Sequence, residues 1–253
     1  MSIHGKRVAW VTGGGSGIGE AGAEALAADG WTVVVSGRRK DALDAVVARI
    51  TNNGGKAEAI PLDVSIADDV NKAAQRIVAQ HGRIDLLVNS AGINVTKRSW
   101  ADMELEGWNR LVEINLNGVL YCMRAVLPAM RSQQDGCIIN VASWAGRHVS
   151  KMPGPAYTTT KHAVLALTHS FNMDECVNGL RACCLSPGEV ATPILKLRPV
   201  VPSEQEQARM LQSEDLGRTI AFVANMPPRV CVNEILISPT WNRGFIQTPA
   251  SRD

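Results

Sequence analysis

The sequence predicts an α/β protein, a doubly wound parallel sheet of Rossmann-like type built as a single domain over residues 1–253. Three observations carry this. Short apolar runs alternate with helical stretches from end to end, the order that builds βαβ units. The apolar runs are continuous, as strands covered on both faces read. The first run ends in a glycine cluster that opens a helix. No linker, repeat or low-complexity tract interrupts the pattern.

The run Val8-Ala9-Trp10-Val11 predicts the first strand, and Thr12-Gly13-Gly14-Gly15-Ser16-Gly17-Ile18-Gly19 follows it. An alanine-rich helix over 20–29 comes next and stops at Gly30. Glycines permit close backbone approach, and a helix N-terminus offers unpaired N–H groups to a pyrophosphate. A merely flexible turn is the competing reading. The spacing is Gly-x-x-x-Gly-x-Gly, not the Gly-x-Gly-x-x-Gly of many dinucleotide folds. Residues 31–35 predict a second strand leading to Ser36-Gly37-Arg38-Arg39. About 20 residues past the glycine turn, an NAD site carries an acid for the ribose hydroxyls, whereas an arginine accommodates a 2′-phosphate. Arg38 and Arg39 stand where that acid is missing, which favours NADP over NAD; otherwise they solvate a helix start.

Leu43, Val46, Val47 and Ile50 mark a helix over 41–51, broken by Asn52-Asn53-Gly54-Gly55. A third strand over 57–62 ends at Asp63-Val64, and Ser65 with Asp68 predicts a capped helix to Gln80. A fourth strand over 84–88 opens into Asn89-Ser90-Ala91-Gly92. Past a loop with Arg98 and Trp100, Leu111, Ile114, Leu120 and Val126 predict one long helix over 108–131, interrupted by polar Asn115 and Asn117. The fifth strand, 137–141, ends near Ser143, and a helix follows over 155–177. Residues 181–185 predict a sixth strand with a sharp exit at Pro187-Gly188. A polar, proline-bearing and then helical insertion over 195–212, a helix over 214–224 and a strand over 234–237 complete the chain. Ligands of such sheets bind beyond the C-terminal ends of the strands, so Thr12, Asp63, Asn89, Ser143 and Pro187 are expected to share one cleft.

Composition narrows the function. With 45% hydrophobic and 20% charged residues the chain reads as an ordinary globule. A net charge of +2, with no basic cluster longer than Arg38-Arg39-Lys40, argues against nucleic acid or a membrane surface as partner. No apolar run approaches the ~20 residues that span a bilayer. Residues 1–7 lead into the first strand without signal-peptide character. The six cysteines lie scattered without a Cys-x-x-Cys, and are expected as buried small hydrophobes in a reducing cytoplasm. Histidines 4, 81, 148, 162 and 169 show no ligand spacing, so no metal is expected.

Tyr157 and Lys161, four residues apart, lie one turn apart on one helix face. A free phenol titrates near pH ~10, and an ammonium within roughly 4–6 Å would bring it down. The pair is a plausible proton handler, although this spacing alone recurs by chance.

Taken together, Thr12-Gly13-x-x-x-Gly17-x-Gly19, Asp63, Asn89-x-Ala91-Gly92, Asn115, Ser143, Tyr157-x-x-x-Lys161 and Pro187-Gly188 resemble the short-chain dehydrogenase/reductase family, in order and separation, over nearly the whole chain. The resemblance implies hydride transfer between a nicotinamide cofactor and a small alcohol or carbonyl. Tyr157 would be the acid/base, Lys161 would lower its pKa and hold the nicotinamide ribose, Ser143 would bind the substrate oxygen, and Asn115 would support a water relay to Lys161. Gly13, Gly15, Ser16, Gly17, Ile18 and Gly19 would cradle the phosphates, and Asp63 with Val64 would bind adenine. Asn89, Ala91 and Gly92 would line the next strand end, with Asn89 bracing the central strand. Pro187, Gly188, Val190 and Thr192 would flank the nicotinamide, with Thr192 on its carboxamide. Simpler roles compete: a strand-end cap for Ser143, a satisfied helix amide for Asn115, a helix cap for Asp63. A homo-oligomer, tetramer or dimer, is also implied by the family.

Departures from the family pattern matter too, although the Asn89 brace is expected to tolerate the first of them. Ser90 stands where a second asparagine is common, Arg147-His148-Val149-Ser150-Lys151-Met152 forms a basic lip, and the C-terminal stretch 232–240 resembles members acting on small hydroxy acids, serine or sugars. Arg98, Trp100, Trp144, Arg147, His148, Met152 and the 190–212 insertion, read as a lid, are the pocket candidates, with Arg147 or Arg198 expected to select an anion. An idle NAD(P)-binding sensor or scaffold is the main competing function, and intact Tyr157 and Lys161 argue against it. A serine hydrolase is disfavoured because Ser143 lacks a Gly-x-Ser-x-Gly elbow.

Overall fold

The computed structural model describes residues 7–243 and 245; His4 and the rest of the stretch before Arg7 lie outside them. Seven strands form one parallel sheet in the order β3-β2-β1-β4-β5-β6-β7. They are β1 (Val8–Thr12), β2 (Thr32–Gly37), β3 (Lys56–Pro61), β4 (Leu86–Asn89), β5 (Gly136–Val141), β6 (Leu180–Pro187) and β7 (Glu234–Ile237). The chain winds outward from β1 to β3, returns to the middle at β4, and winds the other way to β7. That reversal opens a crevice between the C-terminal ends of β1 and β4, where Thr12 pairs with Asn89.

Alternation along the strands divides the core into two layers. Trp10, Val34 and Ile138 face one side, against α3 (Ala67–His81), α5 (Gly118–Gln133) and α6 (Pro155–Glu175). Ala9, Val11, Val33 and Ile139 face the other, against α1 (Gly17–Ala28), α2 (Lys40–Asn52) and α8 (Ser213–Ala224). The central strands β1, β4, β5 and β6 are buried throughout, which explains their unbroken apolar runs; the edge strands β3 and β7 are only partly covered.

In its helices the structure departs from the sequence reading in four places. Helix α1 begins at Gly17, three residues early, so the last glycines belong to its first turn. Ser65 does not cap α3: Ile66 is the N-cap residue, and Ser65 gives its hydroxyl to Asp63 instead (2.7 Å). The long helix is interrupted. It runs as α4 (Leu105–Val112), a π-helical turn (Glu113–Asn117) and then α5, so Asn115 lies within the widened turn. Such turns occur often at functional sites. The 195–212 insertion is helical only in the turn Pro193–Leu197 and in α7 (Glu204–Gln207), which Ser203 and Glu206 close as a capping box. Pro199 and Pro202 lack the N–H groups a continuous helix needs.

Cys122, Cys137, Cys183 and Cys184 are buried as expected, but Cys176 and Cys231 are exposed because they lie in connections rather than in packed elements. Among the described residues no helix is long and apolar enough to cross a membrane.

Helices α1 and α8 lie unusually close because both contribute glycines. A Cβ on Gly217 would meet the Ala21 carbonyl oxygen at 2.6 Å, and one on Gly22 would meet Ile220 Cδ1 at 2.8 Å. Replacing Gly217 by Ala should therefore push the helices apart and cost about 1–3 kcal/mol, the range for overpacking. Chemical denaturation would read this as a lower midpoint, and an unchanged midpoint would contradict the close packing.

Candidate active site

The crevice is assembled from strand ends. At the end of β1 the glycine turn rises with Gly13 at φ +66° and Gly17 at φ +58°, backbone that side-chain-bearing residues rarely adopt. A Cβ on Gly13 would sit 2.7 Å from the Ala91 amide nitrogen, and one on Gly19 would sit 2.4 Å from the Gly13 carbonyl oxygen. The turn is thus folded onto the exit of β4 and onto the first turn of α1. Ser16 is the N-cap residue of α1 but makes no side-chain capping bond, so the helix start keeps open N–H groups. Gly15, Ser16 and Ile18 are half-buried along this rim. Thr192 closes it from above, its methyl 3.2 Å from where a Gly17 Cβ would be. A backbone cradle that side chains would fill, at a helix N-terminus, fits a dinucleotide pyrophosphate.

Beside this cradle Arg38 and Arg39 are exposed at the start of α2, for which the Arg39 backbone is the N-cap. Asp63 accepts from the Ser65 amide (3.0 Å) as well as from its hydroxyl. Burial works to raise the Asp63 pKa, but these bonds and the charges of Arg38 and Arg110 outweigh it and hold the carboxyl below its ordinary range. Val64 is buried against Gly118, at the start of α5.

Asn89 donates to Asn140 Oδ1 (2.9 Å), and Asn140 donates to Thr168 Oγ1 (2.9 Å), a buried polar chain that ties β4, β5 and α6 together. Asn115 is fully buried and grips one residue twice: its Oδ1 accepts from the Ile93 amide (2.8 Å) and its Nδ2 donates to the Ile93 carbonyl (2.9 Å). That pins the loop after Gly92 to the π-helical turn. A Cβ on Gly92 would lie 3.5 Å from Asn115 Oδ1 and 3.7 Å from Lys161 Nζ, so all three line one recess.

Tyr157 and Lys161 share a face of α6 as their spacing predicts. The ammonium lies over the phenol ring, 5.6 Å from its centroid, and donates to the Val141 carbonyl at the end of β5 (2.8 Å). Burial brings the Lys161 pKa down from 10.5 to about 8. Tyr157 moves opposite to expectation: burial raises it, opposed by a hydrogen bond with Ser143 and by the charges of Arg198 and Arg98. The charges that oppose burial at the phenol come from these two arginines, while the Lys161 ammonium lies over the ring. Ser143 also accepts from the Ala145 amide (3.1 Å) and caps the short turn Trp144–Gly146, so its strand-end role and its contact with Tyr157 coexist.

Pro187 ends β6 in the core, and the Gly188 amide donates to the Ile237 carbonyl (2.7 Å). Buried Val190 bridges in parallel to Leu211, closing the insertion at its base. Arg147, expected at the substrate, instead forms a two-nitrogen ion pair with Glu234 at the start of β7. Trp100 is 81% exposed, and His148 is stacked on Trp144 at 4.4 Å between centroids. The sequence reading passed over Glu189, which accepts from Arg198 (2.7 Å) and Arg243 (2.7 Å). An acid directly after the Pro-Gly exit was the available signal. No group of three or more His, Cys, Asp or Glu side chains suited to a metal occurs among the described residues.

Residues 7–199 match the sequence model of the family described as short chain dehydrogenase. An uncharacterised oxidoreductase of Staphylococcus aureus strain MRSA252 is 32% identical, with 94% of this chain and all of that protein aligned. An alcohol dehydrogenase of the archaeon Thermococcus sibiricus, solved with 5-hydroxy-NADP, superposes with TM-score 0.85 at 26% identity over 94% of this chain and 99% of that one. A metagenomic short-chain oxidoreductase solved with NADP gives TM-score 0.80 at 30% identity, over 92% and 97% of the two chains.

Burying Lys161 has a measurable consequence. Its pKa is depressed in the fold, so between about 8 and 10.5 the unfolded chain binds the proton more tightly, and parent stability rises across that window as pH increases. Lys161→Met should therefore melt several degrees above the parent at pH 7, a gain on the order of 2 kcal/mol after the Val141 carbonyl loses its donor. Melting curves at pH 7 and pH 10 test this: the gap should narrow at the higher pH, and a variant that melts lower at pH 7 would refute it.

Proposed function

Since this chain belongs to the short-chain dehydrogenase family, a family of oxidoreductases, we propose that it transfers a hydride between NADP, with NAD as the weaker cofactor, and a small alcohol or carbonyl compound. The observation that carries the reading is the convergence of Ser143, Tyr157 and Lys161 beside a backbone cradle shaped for pyrophosphate. The NADP complexes of the two similar structures support the cofactor.

In this reading the glycine turn holds the pyrophosphate, and Arg38 and Arg39 hold the 2′-phosphate. Asp63 and Val64 border the adenine, and Asn89, Ala91 and Gly92 the adjoining strand end. Thr192, with Pro187, Gly188 and Val190 behind it, faces the carboxamide. Bound NADPH supplies the hydride. Tyr157 gives its hydroxyl proton to the substrate oxygen as charge develops there, and takes it back in the oxidising direction. Ser143 donates a hydrogen bond to the same oxygen, worth about 2–4 kcal/mol of the barrier. Lys161 holds the nicotinamide ribose and, with its proton, favours the phenolate. Asn115 keeps the Gly92–Ile93 loop in place and has a second lone pair on Oδ1 for a water leading to Lys161. Residues 190–212, pinned at their base by Val190 and Leu211, act as a lid over the bound pair. We assign the protein to the cytoplasm as a homo-oligomer, tetramer or dimer.

Two measurements check the proposal. Fluorescence titration should show tighter binding of NADPH than of NADH, with Arg38→Ala reducing the preference about tenfold, the weight of one charge-assisted contact. Tyr157→Phe should bind NADPH within a few-fold of the parent while turnover of small alcohols falls about 10²–10⁴-fold. Tighter NADH binding would overturn the assignment of Arg38. Tight NADPH binding without turnover of any alcohol or carbonyl would instead favour a nucleotide sensor.

A further inference from the structure

Arg98 is only 8% exposed, yet it has no ion pair among the described residues. Its Nη2 donates to the Leu197 carbonyl in the lid, while its Nε is buried without a hydrogen-bond partner. The carboxylate acting on it, Asp102, is committed to the amide and hydroxyl of Ser99. Burying a cation is expensive unless something pairs with it. Burial, followed by the like charge of Arg198, accordingly lowers the Arg98 pKa.

The position of this charge is fixed from two sides. A Cβ on Gly154 would lie 2.3 Å from the Arg98 carbonyl oxygen, so the Arg98 backbone is wedged against the residue that caps α6, three before Tyr157. The Leu197 carbonyl holds its other end under the lid. Arg198, the next lid residue, acts on the same phenol and is shared with Glu189 (2.7 Å), which Arg243 also neutralises (2.5 Å). The charges of two guanidinium groups thus act on the Tyr157 phenol, and of the carboxylates beside them Asp102 is held by Ser99 and Glu189 already carries a second arginine. The cofactor phosphates have their own place at the glycine turn and Arg38, across the crevice on the β1–β2 side.

We propose that Arg98, assisted by Arg198, binds the carboxylate of the substrate, so that the alcohol or carbonyl compound is a short hydroxy acid or its oxo acid. The proposal rests on the oxidoreductase reading above. A carboxylate brought to Arg98 would accept from its idle Nε and from a neighbouring nitrogen in the two-pronged geometry that guanidinium favours. It would also supply the charge that the buried site lacks. The bond between Arg98 and Leu197 makes the same residue a latch for the lid, so acid binding and closure are joined through one side chain.

The test compares acids with their neutral counterparts on the purified full chain with NADP: 2-hydroxypropanoate and 3-hydroxypropanoate, their methyl esters, and 1,2- and 1,3-propanediol. The parent should favour at least one acid over its ester by about 30-fold or more in kcat/KM, the scale for a desolvated charge pair. Arg98→Met should bring that ratio close to one, chiefly through KM, and Arg98→Lys should restore part of it. Malonate should raise the Tm of the NADP-saturated parent and not that of Arg98→Met, a readout independent of turnover. Equal use of acids and esters by the parent, or an equal loss for both in Arg98→Met, would overturn the proposal and leave Arg98 a structural latch. Should Arg98→Met fail to fold, Arg198→Gln must lower the acid-to-ester ratio, and an unchanged ratio counts against the idea. Turnover of the neutral alcohols alone would defeat this inference while sparing the oxidoreductase reading, whereas absence of NADPH binding would defeat that reading first.

Discussion

A buried ammonium sets the terms for the centre of this molecule. Lys161 is 5% exposed, and an amine held out of water is stable only where its remaining contacts are fixed. The Val141 carbonyl can receive it because β5 stops at Val141 and releases that oxygen toward α6. The short turn after β5 is pressed onto the same helix: a Cβ on Gly146 would sit 2.7 Å from the Lys161 carbonyl oxygen. The sheet therefore decides where the lysine lies, and the lysine's cost explains why so much rigid structure surrounds it. A group destabilised in the free protein is also one that a bound partner can make favourable, the usual exchange of stability for function at such sites.

Rigidity around the lysine comes from buried amides used as clamps. The chain Asn89 to Asn140 to Thr168 crosses two strands and a helix, and Asn115 holds both polar groups of Ile93. Each clamp joins segments distant in sequence through groups that would be costly to leave unmet. The π-helical turn belongs to this scheme, since it places Asn115 opposite the loop it holds. The recess lined by Gly92, Asn115 and Lys161 is consequently shaped by hydrogen bonds and not by apolar packing alone.

Charge is divided across the crevice in a way that matches its two ends. Arg38 and Arg39 are exposed beside the glycine turn, where solvent screens them. Arg98 lies beneath the 190–212 segment and Arg198 within it, where Coulomb interactions are stronger and a cation is felt by neighbouring titratable groups. The Tyr157 phenol stands on this second side, so its readiness to give up a proton depends on what pairs with the arginines as well as on Lys161.

By itself the sequence determined the order of strands and helices, the glycine turn, and the placing of Thr12, Asp63, Asn89, Ser143 and Pro187 at strand ends. These are local matters: apolar runs, helical periodicity and glycine spacing act over a few residues. The Tyr157 and Lys161 face was legible for the same reason, because four residues make about one helical turn. Only the tertiary structure decided which charges meet. Arg147 pairs with Glu234, 87 residues away, while Arg98 is buried with no hydrogen-bond partner on its Nε. Nothing local distinguishes one arginine from another, nor foretells that Lys161 lies over the ring while burial drives the phenol upward. The broken long helix and the irregular 190–212 segment escaped for a related cause. A π-helical turn barely alters the apolar spacing, and the 190–212 segment is closed by the bridge between Val190 and Leu211 rather than by any periodicity of its own.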